Sequence, residues 1–430
     1  MLINVDSTIH TTESGASFIS SREACAWLGI RRETLYAYVS RGLVRSFPAA
    51  GKGRGRRYLR EDVLRLKARH DARSGHGAVA AGALRWGEPV LDSSITEITA
   101  DGPRYRGHLA LDLVVRGARF EQVAELLWTG VLPDLVPHWT PAAIPEDDMR
   151  TARLAQRPYM RLPLLLATWA ITAPLAPAPT ASSHRRTPTP ESIRTSARPL
   201  LAALPWILRP RRWAEASSRA STLAERICIL LKRPPHPDRV RLIDATLILS
   251  ADHELNVSSF TARVVASSGA DLHAVLSAAA GAFSGPRHGT VSDDIEALVR
   301  DAASPRRARR IVDAYARRNE ALPGFGHRFY RGGDPRGREL LARAAALAPD
   351  DPNLRTLAAL VQAAEQKLDQ HPNLDLGLVA VACALGAPRG TAATLFALGR
   401  AAGWVAHALE QCESGALIRP RARYVERGAG

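Results

Sequence analysis

Three histidines, one aspartate and several arginines are the side chains of this 430-residue sequence whose types and spacing could do chemistry. The densest group is Leu322-Pro323-Gly324-Phe325-Gly326-His327-Arg328-Phe329-Tyr330-Arg331-Gly332-Gly333-Asp334-Pro335-Arg336. Glycines on both sides of Phe325 let the backbone before His327 approach a ligand closely. The arginines that follow suit a carboxylate or phosphate. Two further turns carry histidine: Ala251-Asp252-His253-Glu254-Leu255-Asn256, which sets a charged donor and an amide at one helix boundary, and Ser284-Gly285-Pro286-Arg287-His288-Gly289. A zinc site of the His-Glu-x-x-His kind is discounted at the first turn, because Asn256 breaks the pattern. The acid is Asp375, in Pro372-Asn373-Leu374-Asp375, with leucines on either side. In that low dielectric its pKa should rise, making it a stronger base than a solvated carboxylate. Arg400 and Arg419 complete the set. Singly, each has a plainer reading: a structural histidine, a helix-capping aspartate, a basic surface turn.

The elements that must position these residues read as mostly helical. A helix with Val240, Ile243 and Leu247 on its apolar face leads into Ala251, and another runs from Phe120 through Trp128 to Gly130. Between Asp92 and Asp112 the pattern is strand-like and turn-rich, and residues 174–210, rich in proline, serine and arginine, read as a flexible or partly ordered insertion. With 46% apolar residues the chain has material for a large core. The first 17 residues are polar and read as a flexible tail with no secretory or transit signal, and the longest apolar run, Leu162 to Leu175, is too short to span a bilayer. Cys25, Cys228, Cys383 and Cys412 lack metal or redox spacing and fit buried free thiols in a reducing cytoplasm.

The formal charge is +16, and residues 1–75 hold 14 Lys/Arg against 7 Asp/Glu. Such an excess reads as a polyanion-binding face. Ser20-Ser21-Arg22-Glu23 is a capping box, a first short helix ends at Gly29, and a second begins near Arg31-Arg32 and stops at Gly42. A run rich in glycine and arginine, Gly51 to Arg57, then precedes Tyr58 and Asp62-Val63. This order resembles the mercury-resistance-regulator type of winged helix-turn-helix over residues 18–70. The resemblance implies that Arg31, Arg32, Thr34 and Tyr36 face the DNA major groove, with Lys52, Arg54, Arg56 and Arg57 on phosphates. A helical module for protein contacts is the other reading. Residues 71–85 read as a linker.

From Trp86 to Val425 the chain resembles the citrate synthase family. The motifs are Ala-Asp-His-Glu-Leu-Asn, Gly-Pro-x-His-Gly, Pro-Gly-Phe-Gly-His-Arg, Asp-Pro-Arg, Pro-Asn-x-Asp, Gly-Trp-Val-Ala-His and Ile-Arg-Pro-Arg, all in family order. The resemblance implies a mainly α homodimer with a large domain (86–269 and 386–430) and a small domain (270–385) that closes over substrate. It implies condensation of acetyl-CoA with oxaloacetate and water to give citrate and CoA, with no metal and no cofactor beyond the CoA substrate. Asp375 would take the methyl proton, His288 would steady the enol oxygen, and His327 would polarise the ketone. His253, Asn256, Arg336, Arg400 and Arg419 would hold oxaloacetate, Arg419 reaching from the partner subunit. Leu322, Pro323, Gly324, Phe325 and Gly326 would lie against the CoA adenine. Departures from the family pattern are Arg287, Thr290-Val291-Ser292-Asp293 and Leu376-Gly377-Leu378, which bear on rate and acyl preference. Two alternatives stand beside this reading: a 2-methylcitrate synthase using propionyl-CoA, and a transcription regulator using the fold to sense an organic acid or acyl-CoA.

Overall fold

A computed structural model of the chain describes residues 11–12, 16–48, 56–60, 62–64, 66, 91–144, 150, 157–172, 187–318, 320–330 and 332–420. The chain divides into two compact units, Met1–Asp92 with Arg423–Gly430, and Ser93–Ala422. The expected linker 71–85 lies outside the described residues, as do Lys52 and Arg54.

In the first unit, strands β1 (Thr11–Thr12) and β2 (Ala16–Ser20) precede helices α1 (Ser21–Leu28) and α2 (Arg32–Ser40), and strands β3 (Ser46–Pro48) and β4 (Arg56–Leu59) follow. The capping box forms as the sequence predicts: the Ser20 hydroxyl accepts from Glu23 N–H, and the Glu23 carboxylate accepts from Ser20 N–H. Gly29, at φ 64°, ends α1 in the left-handed region that glycine enters without strain. The antiparallel sheet has the order β1-β2-β4-β3, with Ile19 opposite Tyr58 and Phe47 opposite Arg57. Ile19, Ala24, Leu28, Leu35, Val44, Tyr58 and Val63 form a small core of their own. Arg45 clamps Asp62 with two bonds, Nε to Oδ2 at 2.8 Å and Nη2 to Oδ1 at 3.0 Å. Arg31, Arg32, Tyr36 and Arg56 are exposed, and Thr34 and Arg57 half-buried. Arg32 donates to Ser21 Oγ at 3.1 Å, and Arg57 lies over the Phe18 ring at 4.6 Å.

The second unit opens with a three-stranded antiparallel sheet, β5 (Thr96–Thr99), β6 (Gly102–Tyr105) and β7 (His108–Leu109). Helices α3 (Ala110–Val115), α4 (Phe120–Thr129), α5 (Pro158–Thr172), α6 (Pro190–Ala203), α7 (Trp213–Arg219), α8 (Leu223–Leu230) and α9 (Pro237–Ser250) follow. Then come α10 (Val257–Ser267), α11 (Leu272–Phe283), α12 (Val291–Ala302), α13 (Pro305–Arg318), α14 (Pro335–Leu347), α15 (Pro352–Leu368), α16 (Leu374–Ala384) and α17 (Thr391–Ser414). The mainly α class expected from sequence is what forms. Both expected synthase domains fall within this one unit, except for residues 86–92 and 423–430, which group with the first.

The organising element is α17, 24 residues long and buried continuously from Thr391 to Leu409. It packs on α9 through glycine: a Cβ at Gly403 would sit 2.3 Å from the Ala251 carbonyl and 2.6 Å from Asp252 Oδ1. Bare backbone there lets the two helices meet, which sets Arg400 beside the end of α9.

The insertion expected at 174–210 is corrected where it is described. From Thr189, whose hydroxyl caps α6, the chain is regular helix, then a 3-10 turn at Leu204–Leu208, and Ile193, Ala197, Leu200, Leu201 and Trp206 are buried in the main core. Prolines at 190 and 199 coexist with that helix, the first because N1 needs no N–H donor. All four cysteines carry free thiols, and only Cys228 is fully buried, the others being half-buried.

Candidate active site

Three separate segments are tied into one surface by backbone hydrogen bonds. Gly326 N–H donates to the His371 carbonyl at 2.8 Å, Asn373 N–H to the Gly324 carbonyl at 2.9 Å, and Asp334 N–H to the Pro372 carbonyl at 3.2 Å. Phe325 and Pro372 form an antiparallel bridge. The histidine loop, the turn before α14 and the turn before α16 are thereby locked together. Helices α14 and α16 also touch, because Gly337 has no side chain: a Cβ there would lie 2.2 Å from the Asn373 carbonyl. The contact brings Arg336, at the start of one helix, beside Asp375, at the start of the other.

Asp334 is the joint. Fully buried, it caps α14 through Arg336 N–H at 3.0 Å, accepts from Leu374 N–H at 3.2 Å, and takes Arg336 Nε at 3.0 Å and Nη2 at 2.7 Å. Burial alone would raise its pKa, but the Arg336 guanidinium outweighs burial and holds it below the usual carboxylate range. The same pair keeps Arg336 charged although it is buried.

Asp375 contrasts with Asp334. Its N–H donates to Asn373 Oδ1 at 3.1 Å, which caps α16, while its own Oδ1 is enclosed with no hydrogen-bond partner. Burial pushes its pKa up to about 7, with Asp334 adding to the rise and Arg336 and Arg400 opposing it. Arg400 is buried, donates from Nε to the Ser250 carbonyl at 2.8 Å, and has no carboxylate at ion-pair distance among the described residues. Burial, and then Arg336, pull its pKa down to about 10. A buried guanidinium without a counter-ion is a place prepared for an anion.

The three imidazoles face this charge. His253 and His327 have ring centroids 5.3 Å apart, and Tyr330 lies against both, its hydroxyl 3.0 Å from His253 Nε2 and its ring 4.6 Å from His327. Burial, with Arg336 and Arg400, holds His253 well below the ordinary imidazole range. Burial followed by Arg336 brings His327 to about 4, and burial followed by Arg400 brings His288 to about 4. All three are therefore neutral at pH 7. Phe329 N–H donates to His327 Nδ1 at 3.2 Å, so the His327 proton sits on Nε2. His288 Nε2 lies 2.8 Å from Ser258 Oγ, which accepts from Trp404 Nε1–H at 3.0 Å.

Asn256, expected to hold substrate, is engaged within the chain. Its Oδ1 accepts from Ser258 N–H and Ser259 N–H, both at 3.1 Å, and lies 2.8 Å from Ser258 Oγ, while Nδ2 donates to the Glu254 carbonyl and Ser259 Oγ. It caps α10 and holds Ser258 against His288. Arg419 is exposed, and among the described residues no hydrogen bond or ion pair joins it to this cluster. Leu322 and Phe325 are buried, Gly324 is buried, and Pro323 is half-buried, so the loop presents backbone more than side chain.

Sequence reasoning missed Tyr330, Asp334, Ser258 and the wholly buried pair Asp252–His407, 3.2 Å apart. Several of their partners, among them His253 for Tyr330, His288 for Ser258 and His407 for Asp252, lie tens of residues away, and the Asp-Pro-Arg spacing was the local signal that could have pointed to Asp334.

Residues 83–421 match the family described as citrate synthase, C-terminal domain, and residues 18–71 match a helix-turn-helix domain. That second match is less specific than the mercury-resistance-regulator type expected from sequence. Citrate synthase 2 of Bacillus subtilis is 30% identical over 355 residues, covering 79% of this chain and 94% of its own. 2-Methylcitrate synthase 1 of Corynebacterium glutamicum is 30% identical over 347 residues, covering 74% and 88%. In fold, the chain is similar to the citrate synthase of the archaeon Thermoplasma acidophilum, solved as a ternary complex with carboxymethyl coenzyme A and oxaloacetate, with TM-score 0.67, 23% identity and coverage of 80% and 95%. The extent of these matches over a cluster so built means that the chain belongs to the citrate synthase family, as an acyltransferase of that type carrying a helix-turn-helix domain at its N-terminal end.

Proposed function

We propose that the chain condenses acetyl-CoA with oxaloacetate and hydrolyses the resulting thioester to citrate and free CoA, and that its helix-turn-helix unit binds DNA. The observation that carries the catalytic reading is the partnerless oxygen of Asp375, enclosed near two guanidiniums, Arg336 and Arg400, which also act on His327 and His288 and keep those imidazoles neutral. A thioester methyl group is a very weak acid. Removing its proton takes a base with raised proton affinity and a donor for the oxygen that gains charge.

In this reading Asp375 takes the methyl proton. His288, held through Nε2 against Ser258 Oγ, steadies the enol oxygen. His327 donates from Nε2 to the oxaloacetate ketone, drawing electrons from the carbon that the enol attacks. Arg400, Arg336 and His253 hold the dicarboxylate, with the partner subunit's Arg419 completing the pocket in a homodimer. The backbone of 322–326 receives the adenine, and Asn256 and Tyr330 position the imidazoles. Enclosure strengthens each of these interactions by excluding water.

The test follows free thiol with acetyl-CoA and with propionyl-CoA, each with and without oxaloacetate. Turnover that needs both substrates, with acetyl-CoA preferred, is expected. A propionyl preference would turn the reading to 2-methylcitrate synthesis. No turnover, together with ligand-dependent DNA binding, would favour the second reading, in which the fold senses its ligands for the helix-turn-helix unit.

A further inference from the structure

Helix α13 carries six arginines in 14 residues, and Arg306, Arg307, Arg309, Arg310, Arg317 and Arg318 are all exposed. The opposite side packs inward through Ala308 and Val312. At 100° per residue, Arg306, Arg310 and Arg317 fall within about 40° of one another, a stripe about 17 Å long. The helix's one acid, Asp313, is already paired with Lys367, and Arg318 with Glu320. Among the described residues Arg306, Arg307, Arg310 and Arg317 have no carboxylate partner.

The placement opposes the helix's own electrostatics. Arg306 and Arg307 stand in a first turn without any acid, where the helix dipole is positive. Arg306 and Arg310 form a like-charge pair at i, i+4, which weakens a helix. An anion along the stripe would relieve both strains. A membrane surface is a poor candidate, because the apolar side of α13 is already covered by its own unit.

We propose that the α13 arginine stripe is a second, sequence-independent contact for the phosphate backbone of duplex DNA, working alongside the helix-turn-helix unit. This deepens the reading that the protein binds DNA and rests on it. The charge of the partner and its regular repeat match a straight row of cations that has no specific geometry of its own.

The experiment uses the full chain, fluorescence anisotropy with a random-sequence 30-base-pair duplex, and NaCl from 50 to 200 mM. The triple variant Arg306→Gln/Arg310→Gln/Arg317→Gln should lower the slope of log affinity against log salt by about 2.7, since each phosphate contact contributes about 0.9. The melting temperature should be no lower, since the substitutions relieve like-charge repulsion, and thiol-release kinetics should be unchanged. A control removing the same charge at Arg116, Arg211 and Arg219 should leave the slope alone. An unchanged slope in the α13 variant, while Arg31→Gln/Arg32→Gln weakens binding, overturns the stripe and leaves the helix-turn-helix reading standing. Loss from the α13 variant alone would refute the helix-turn-helix unit as a DNA contact, and with it the proposal that the stripe works alongside that unit. No binding by the unaltered chain sinks both. A raised KM for acyl-CoA with an unchanged DNA slope would reassign the arginines to the phosphates of CoA, and would overturn the proposal.

Discussion

At Asp375, burial and two neighbouring guanidiniums pull in opposite directions, and burial wins, leaving a carboxyl that titrates near pH 7 rather than near 3.8. Its deprotonated form is the active one, so kcat/KM should rise with pH through about 7. Protonation of His288 and His327 should not intrude until pH falls towards 4. A pH profile from 5 to 9 checks this, and a profile flat across 6–8 would refute it. The same shift has a consequence for stability. A folded pKa above the unfolded one means that folding favours the protonated acid, so that contribution is complete below pH 4 and is lost as pH rises to 7. Asparagine mimics the protonated state. Asp375→Asn should therefore raise the melting temperature at pH 8 by about 2 °C or more and have little effect near pH 4. At Arg400, the buried cation awaiting an anion, Arg400→Gln should raise the KM for oxaloacetate by about 10- to 100-fold, the worth of one charged hydrogen bond, with a much smaller effect on the KM for acyl-CoA. Equal effects on both would mean that Arg400 is structural.

Helices α14 and α16 hold the site by contact at Gly337, and a methyl group there has nowhere to go. Gly337→Ala should cost about 1–3 kcal/mol, read as a lower urea midpoint, and should reduce kcat by separating Arg336 from Asp375. A fully active, fully stable variant would show that the helices have room to part. At this scale the sequence was readable in some places and misleading in others. The capping box at Ser20, the glycine stop at Gly130 and the apolar face of Val240, Ile243 and Leu247 are local signals, and the corresponding helices form. At 187–210 the prolines and arginines masked a helical spacing, Ile193, Ala197, Leu200 and Leu201, that follows an ordinary Thr-Pro helix start. Asn256 sits in a histidine motif and also in Asn-x-Ser-Ser, a plain capping signal, and it does cap α10. Ser258, Tyr330 and Asp252 gain their roles from His288, His253 and His407, contacts made across the fold that no periodicity records.

For the whole molecule, the open question is Arg419, exposed at the end of the described chain. If it completes the partner's site in a two-fold dimer, two inactive variants should rescue one another. Refolding a mixture of Arg419→Ala and Asp375→Asn should restore about a quarter of the unaltered activity, because half the dimers are hybrids and each hybrid holds one intact site. No rescue would place Arg419 outside the chemistry or within its own subunit's site. Among the described residues no helix is long and apolar enough to cross a membrane.

The proposed catalysis turns on one carboxylate, and thiol release from acetyl-CoA with saturating oxaloacetate at pH 8 measures its part most directly in Asp375→Asn. A fall in kcat of about 1000-fold, with oxaloacetate still bound and the melting temperature no lower, is the predicted result. Turnover within a few-fold of the unaltered protein would contradict it.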